Sequence, residues 1–395
     1  MKLKSLTMWI GACAASLLIS SGALAAPRQN SAEVRAAYIV PEAQFSPDEK
    51  TATQQIADFV AKLQAANFNL LFVYVRSEYF AALTDATYQK TVPKAKFDVV
   101  GLFINAALKA GIKVDLTYSV TKYKSKASPE FVTRLGGNPD WAVKRPNQGS
   151  IDPKTGKPIV QPWTVVCLSW AAARQFELNL IDKMLQHYKG VSGIQIEEPG
   201  YSSNDFCVCT ACMQIYKDQF HITGTPDLKS AAAQYVRIIG VTQFLQALRK
   251  LMNTKYPGLS LSANGGYDFA AAKTTLGSDW VNWAKAGLID FYVGQVYQSD
   301  LPGFNAHVAQ VVNTMGLYCP VVILVGVGWY ASKLLPNAKN SPVTITQEIS
   351  ALRTDGVAGE ALFSGKDITD TIFTQVHSSL FTSPVGLPLL KFAPP

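Results

Sequence analysis

The chain has 395 residues, 48% of them hydrophobic, and a formal charge of +8. This composition excludes an intrinsically disordered chain and leaves room for a large core. The basic balance suits an anionic partner such as an acidic polysaccharide or the cell wall, but no Lys/Arg run interleaves with aromatics, so no nucleic-acid partner is expected. Residues 1–26 read as a secretory signal. Lys2 and Lys4 form its basic region, Leu6 to Leu24 is mostly apolar and small, and Ala23-Leu24-Ala25 fits the small-x-small cleavage rule. No other stretch is long enough to span a bilayer. The remainder, 27–395, is therefore expected to be secreted or periplasmic, with no membrane span in the mature chain.

Eight strand candidates follow in chain order: Val34–Val40, Asn69–Arg76, Ile112–Val120, Val191–Glu197, Leu259–Asn264, Leu288–Tyr297, Val321–Val327 and Gly356–Phe363. Most are nearly continuous in apolar, β-branched or aromatic residues rather than alternating, which means burial on both faces, as in parallel sheets. Amphipathic helical stripes fall between them, among them Ile56-Phe59-Val60-Leu63 and Val308-Val311-Val312-Met315. Eight strand–helix units predict a single-domain (β/α)₈ TIM barrel. A doubly wound nucleotide fold is disfavoured, because the turn after the first strand, Pro41-Glu42-Ala43-Gln44, has no glycine. The connection from Thr121 to Trp163 is unusually long and is read as a cleft wall above the C-terminal face.

The chemistry concentrates between Gly193 and Cys212. The fourth strand runs into Glu197 and Glu198, two carboxylates at the catalytic rim of a barrel, where a carboxylic acid can protonate a leaving-group oxygen. Adjacent residues at a strand end point to different sides, so only one of the two is expected to face the centre. Cys207, Cys209 and Cys212 follow in C-x-C-x-x-C spacing. Once Cys13 leaves with the signal, five cysteines remain, an odd set that cannot form a complete disulfide framework within one chain. Two readings stay open: a metal clip, or a Cys209–Cys212 disulfide in an exported protein. Cys319 reads as a small buried hydrophobe. Other rim candidates for substrate binding are Arg76, Glu78, Tyr201, Asn264, Gln295, Tyr297 and Trp329. Asp115, in mid-strand, reads as a buried, partnered carboxylate.

The run VVCLSWAAARQFELNLIDKMLQHYKGVSGIQIEEPGYSSNDFCVCTACMQIYKDQF resembles the middle of secreted clan-A-type glycoside hydrolase barrels. It is similar in particular to hypothetical glycoside-hydrolase-like families and to the family 42 beta-galactosidases. VRAAYIV, FNLLFVYVR, LSLSAN and IDFYVGQVY also resemble strands of those barrels. The resemblance implies that Glu198 is the general acid/base, and Glu197 stands where the galactosidases have asparagine. It implies a four-thiolate structural zinc site, with Cys167 as the fourth ligand beside Cys207, Cys209 and Cys212. It also implies a nucleophile at the end of the seventh strand, where this chain reads VGVGWYASK without a carboxylate. Glu78, Asp300 and Glu360 are candidates elsewhere, but none matches a nucleophile motif. The expected function is cleavage of glycosidic bonds in an oligo- or polysaccharide. The alternative is a non-catalytic carbohydrate-binding barrel that retains the fold and the zinc site.

Overall fold

Eight parallel strands close on themselves in a ring, each hydrogen-bonded to its neighbours in chain order and the last to the first. They are β1 (Val34–Ile39), β2 (Leu70–Tyr74), β3 (Lys113–Tyr118), β4 (Gly193–Glu197), β5 (Ser260–Gly266), β6 (Phe291–Gln295), β7 (Val321–Gly326) and β8 (Gly359–Phe363). This computed structural model describes residues 32–84, 97–123, 138–146, 164–201, 203–298, 300–328 and 342–390. The expected (β/α)₈ barrel is thus the observed fold. Several strands are shorter than the apolar runs that announced them, because turns take the ends: Gly356–Ala358 precede β8, and Val296 and Tyr297 lie beyond β6. Of the long connection, residues 121–123 and 138–146 are described. A short antiparallel ribbon joins Lys122–Tyr123 to Thr164–Val165, and Trp163 lies outside the described residues.

The two faces of the barrel wall are buried for different reasons. Outward residues such as Ala37, Ile39, Ile194 and Ile196 pack under the surrounding helices, notably Glu49–Ala65, Val99–Lys109, Ala231–Lys255 and Leu301–Met315. Inward residues fill the barrel itself, and here the wall has two characters. On the β6–β8 and β1–β2 side the filling is Val34, Ala36, Tyr38, Phe72, Val293, Leu324 and Ala361. On β3–β5 it is polar: Asp115, Thr117, Gln195, Ser262 and Asn264, none more than 2% exposed. Strand register sets Thr117, Gln195 and Ser262 side by side, and alternation puts Asp115 below and Glu197 above them.

A carboxy-terminal segment, not anticipated from periodicity, crosses the N-terminal mouth. Arg35 Nη1 donates to Ser383 O at 2.7 Å and the backbone N–H of Glu33 to Gly386 O at 3.0 Å. Leu387 and Leu390 then pack into the inner cluster and close the floor. Asp115 sits beside this stopper. Its carboxylate accepts from Ser192 Oγ at 2.7 Å and Ser260 Oγ at 3.1 Å, so it is the buried, partnered carboxylate expected, with burial pushing it up to about 6.

Glu348 is the least comfortable buried acid. It lies on the Pro342–Leu352 helix, 1% exposed, and neither carboxyl oxygen has a hydrogen-bond partner among the described residues. Burial alone pushes it from 4.5 up to about 8. The fold therefore holds Glu348 protonated where the unfolded chain would ionise it. That contribution to stability is fully present below about pH 4.5 and is lost as pH rises through about 8. Glu348→Met is expected to remove this decline, gaining about 1–3 kcal/mol over wild type in urea unfolding at pH 9 and much less at pH 4.

Candidate functional site

At the C-terminal rim the two carboxylates of β4 part company. Glu197 continues the inward alternation of Gly193 and Gln195, and its Oε1 accepts the Tyr74 hydroxyl at 2.5 Å. Tyr74 comes from the end of β2. Burial, and then the Glu197 charge, hold its phenol well above the ordinary range, so it stays a donor. Tyr38, Phe363 and Tyr297 complete an aromatic cup around this point, with Tyr38 5.9 Å from Tyr74 and 5.8 Å from Phe363 between ring centroids. Beneath it, Gln195 Oε1 accepts from Tyr38 Oη at 2.5 Å and from Asn264 Nδ2 at 3.2 Å.

Glu198 takes a left-handed backbone, φ +37°, which breaks the strand's alternation. Its N–H is held by Asn264, at 3.0 Å to Oδ1 and 3.2 Å to the carbonyl oxygen. Its side chain lines a cavity of about 320 Å³ between the segments that follow β4 and β5. Gly265 lets the cavity wall pack against its neighbours. A Cβ there would lie 2.6 Å from the Trp280 ring and 2.8 Å from the Tyr292 hydroxyl. The expectation that only one of the two acids faces the centre therefore holds for Glu197, with Glu198 turned to one side.

The other sequence candidates scatter. Asn264 is wholly buried and, with Gln195, which sequence reading did not single out, forms the clamp just described. Arg76 is engaged by Glu42, with Nε 2.9 Å from its carboxylate. Gln295 ends β6 on the inward side, and Tyr297 packs against the inner cluster. Tyr201, proposed to meet substrate, is 2% exposed and has its hydroxyl 3.3 Å from Cys167 Sγ, so it packs against the thiols rather than facing the cleft. The Glu78 side chain and Trp329 lie outside the described residues. As for the nucleophile candidates, Asp300 caps the Leu301–Met315 helix through Gly303 N at 2.8 Å. Glu360 sits on the outward face of β8, wholly buried near Glu33, Arg353 and Arg35. Neither faces the axis. Sequence reading missed Tyr38 and Tyr74, whose only signal was a tyrosine at an inward position of each of the first two strands.

Behind Glu198 lies the thiol cluster. The sulfurs of Cys167, Cys207, Cys209 and Cys212 all lie within 4.8 Å of one another, buried, and no disulfide joins them. Cys167 and Cys212 sulfurs are 3.4 Å apart, and the N–H groups of Lys144 and Cys209 each donate to Cys207 Sγ at 3.4 Å. Against burial, hydrogen bonds from the other three thiols hold Cys167 well below the usual range. Burial first pushes Cys207 up, and the hydrogen bond with Cys167 first pushes Cys212 up. Four converging sulfurs with backbone N–H donors around them fit a metal ion, whose charge would let all four ionise.

The segment from Tyr201 to Cys209 is secured a second way. Arg237, 1% exposed, donates to the carbonyls of Asn204, Phe206 and Leu228 through Nη1 and of Thr274 through Nη2, at 2.9–3.3 Å. Arg145 adds an ion pair to Asp205 at 2.6 Å.

A closed ring of eight parallel strands surrounded by helices defines a (β/α)₈ barrel protein. Residues 33–342 match the family Glycosyl hydrolase-like 10, and the chain belongs to that family. Among solved structures it is similar to the glycoside hydrolase domain of PgaB (BpsB) from Bordetella bronchiseptica, 12% identical, with a TM-score of 0.62 over 87% of this chain and 98% of that one. It is also similar to alpha-L-fucosidase isoenzyme 2 from Paenibacillus thiaminolyticus, 14% identical, with a TM-score of 0.60 over 89% of this chain and 49% of that one. The beta-galactosidase from Marinomonas ef1 is 11% identical, with a TM-score of 0.56 over 83% of this chain and 53% of that one. The chain spans about half the length of the last two. At these identities the likeness is one of fold. No curated protein matches the sequence. Among the described residues no helix is long and apolar enough to cross a membrane.

Replacing Arg237 with methionine strands four carbonyls, two of them, Asn204 and Phe206, on the segment behind Glu198. The expected loss is about 3 kcal/mol or more in chemical denaturation, and proteolysis should begin between Tyr201 and Leu228.

Proposed function

We propose that this chain hydrolyses glycosidic bonds of a carbohydrate, with Glu198 as general acid/base and Glu197 as its carboxylate partner. The observation that carries the reading is the divergence of the two acids at the end of β4: Glu197 toward the axis under Tyr74, Glu198 into the adjoining cavity. In such an arrangement the sugar ring sits over the axial cup. Glu198 gives a proton to the leaving oxygen as its bond to the anomeric carbon breaks. Glu197 lies where positive charge develops on the ring. Water then bonds to the anomeric carbon and returns a proton to Glu198.

Glu198→Gln keeps the shape and removes the proton. Hydrolysis of a responsive glycoside is expected to fall by about 10²–10⁴-fold, with substrate binding by calorimetry retained. A second reading, a carbohydrate-binding barrel without activity, has one observation in its favour: no Asp or Glu occurs from Cys319 to Gln347, around β7 and after it. Equal inertness of wild type and Glu198→Gln on a glycan panel that both bind would establish that reading instead.

The thiol cluster is proposed to hold structural zinc through Cys167, Cys207, Cys209 and Cys212. Four sulfur ligands close the coordination shell, so the ion would brace the segment behind Glu198 and take no part in the chemistry. Export by the N-terminal signal is part of the same proposal. Elemental analysis is expected to give about one zinc per chain, lost in Cys209→Ser together with several degrees of melting temperature. A metal-free wild type with Cys209 and Cys212 oxidised would contradict it.

A further inference from the structure

The cavity beside Glu198 has a character of its own. Its walls include Ala271, Ala272 and Leu276, with Trp280 behind, and it is mainly apolar. The polar atoms around it are largely spent on the protein. Ser278 Oγ donates to Pro199 O at 2.7 Å, Asp268 Oδ1 accepts Ala271 N–H at 2.9 Å, and the Tyr292 hydroxyl donates to Gly266 O at 2.8 Å. The aromatic faces are also committed. Tyr267 stacks on His307 at 3.7 Å between centroids, and Trp280 is 2% exposed and packs edge-on to Trp283. At about 320 Å³ the space is at the small end of ligand sites, one compact group in size.

A general acid must touch the oxygen that departs, so whatever leaves must occupy the space that Glu198 lines. Resting on the reading above, we infer that the cavity between the β4 and β5 segments binds the leaving group, and that its preferred occupant is a compact alcohol or phenol with an apolar body. A second sugar ring is a poor occupant. Most of its hydroxyls would face mainly apolar walls, where the Ser278 and Tyr292 hydroxyls are already paired, and would lose a water partner without replacement. The step balances with water alone. The bond from the anomeric carbon to the alcohol oxygen breaks, the Glu198 proton goes to that oxygen, and water supplies the new bond.

Two variants fill the space without disturbing the core. Ala271 is exposed, and a Cβ on Gly266 meets nothing within 4 Å. Ala271→Phe and Gly266→Val are therefore expected to fold. Two measurements test the inference on the full chain. In the first, benzyl alcohol is titrated against intrinsic tryptophan fluorescence, with Trp280 at the cavity wall as reporter. Saturable binding in wild type, weakened about tenfold or more in both variants, is expected. In the second, benzyl glycosides are compared with disaccharides sharing the same glycone. The expected kcat/KM favours the benzyl series by about tenfold or more, and the preference collapses in Ala271→Phe. Failure of benzyl alcohol to bind, or better turnover of the disaccharides, overturns the inference and leaves the hydrolase reading standing. Binding without cleavage of any glycoside overturns the hydrolase reading, and the leaving-group assignment with it.

Discussion

Asn264 holds the end of β4 in place. Its side-chain amide donates to Gln195 within the barrel and accepts the N–H of Glu198 at the rim, while its own carbonyl accepts the same N–H. One buried residue on β5 thus fixes both the last inward turn of β4 and the left-handed residue that follows it. Asparagine is suited to this because it offers a donor and an acceptor on one short, planar group. The divergence of Glu197 and Glu198 depends on that clamp. Without it the positive φ at Glu198 would be a cost with nothing to maintain it.

The remaining structure is arranged to keep this rim still. The thiol cluster and Arg237 secure the segment after β4 from behind, one through side-chain sulfurs and the other through backbone carbonyls. Tyr74, two strands away on β2, and the aromatic cup hold Glu197 from within the barrel mouth. The polar half of the barrel filling, Asp115 to Asn264, lies beneath the same strands that carry the acids. Polar groups in a barrel interior stabilise less than aliphatic packing, so their confinement to β3–β5 accords with support of the rim rather than with filling the core.

Much of this was legible in the chain. Strands buried on both faces are continuous apolar runs, which is why all eight could be placed. The C-x-C-x-x-C spacing read as a metal clip or a disulfide, the family resemblance added Cys167, and the fold brings all four thiols together. The paired acids at a strand end pointed to the rim. What could not be read depends on contacts distant in sequence. The backbone reversal at Glu198 is imposed by Asn264, and the hydroxyl on Glu197 comes from Tyr74, an aromatic near the end of one strand candidate with nothing local to mark it. Tyr201 looked like a sugar-stacking aromatic because it follows the acids. Its burial against Cys167 comes from the fold of the intervening turn. The carboxy-terminal stopper has no periodicity at all. It is built from main-chain hydrogen bonds and two leucines, which no pattern distinguishes from a loose tail.

That stopper bears on how the molecule is made. The floor of the barrel, with Val34 and Leu70 at its edge, is covered by Leu387 and Leu390 near the end of the chain. A chain synthesised from its N-terminus carries β1 and β2 early, but their lower ends meet Leu387 and Leu390 only after more than three hundred further residues have emerged. Until then the nascent barrel is open at the bottom, with an apolar edge available to a chaperone or to another nascent chain. Seating of the Leu387–Leu390 segment therefore follows synthesis of the strands it covers, and a change that unseats those two leucines would reopen an edge made from the fold's oldest strands.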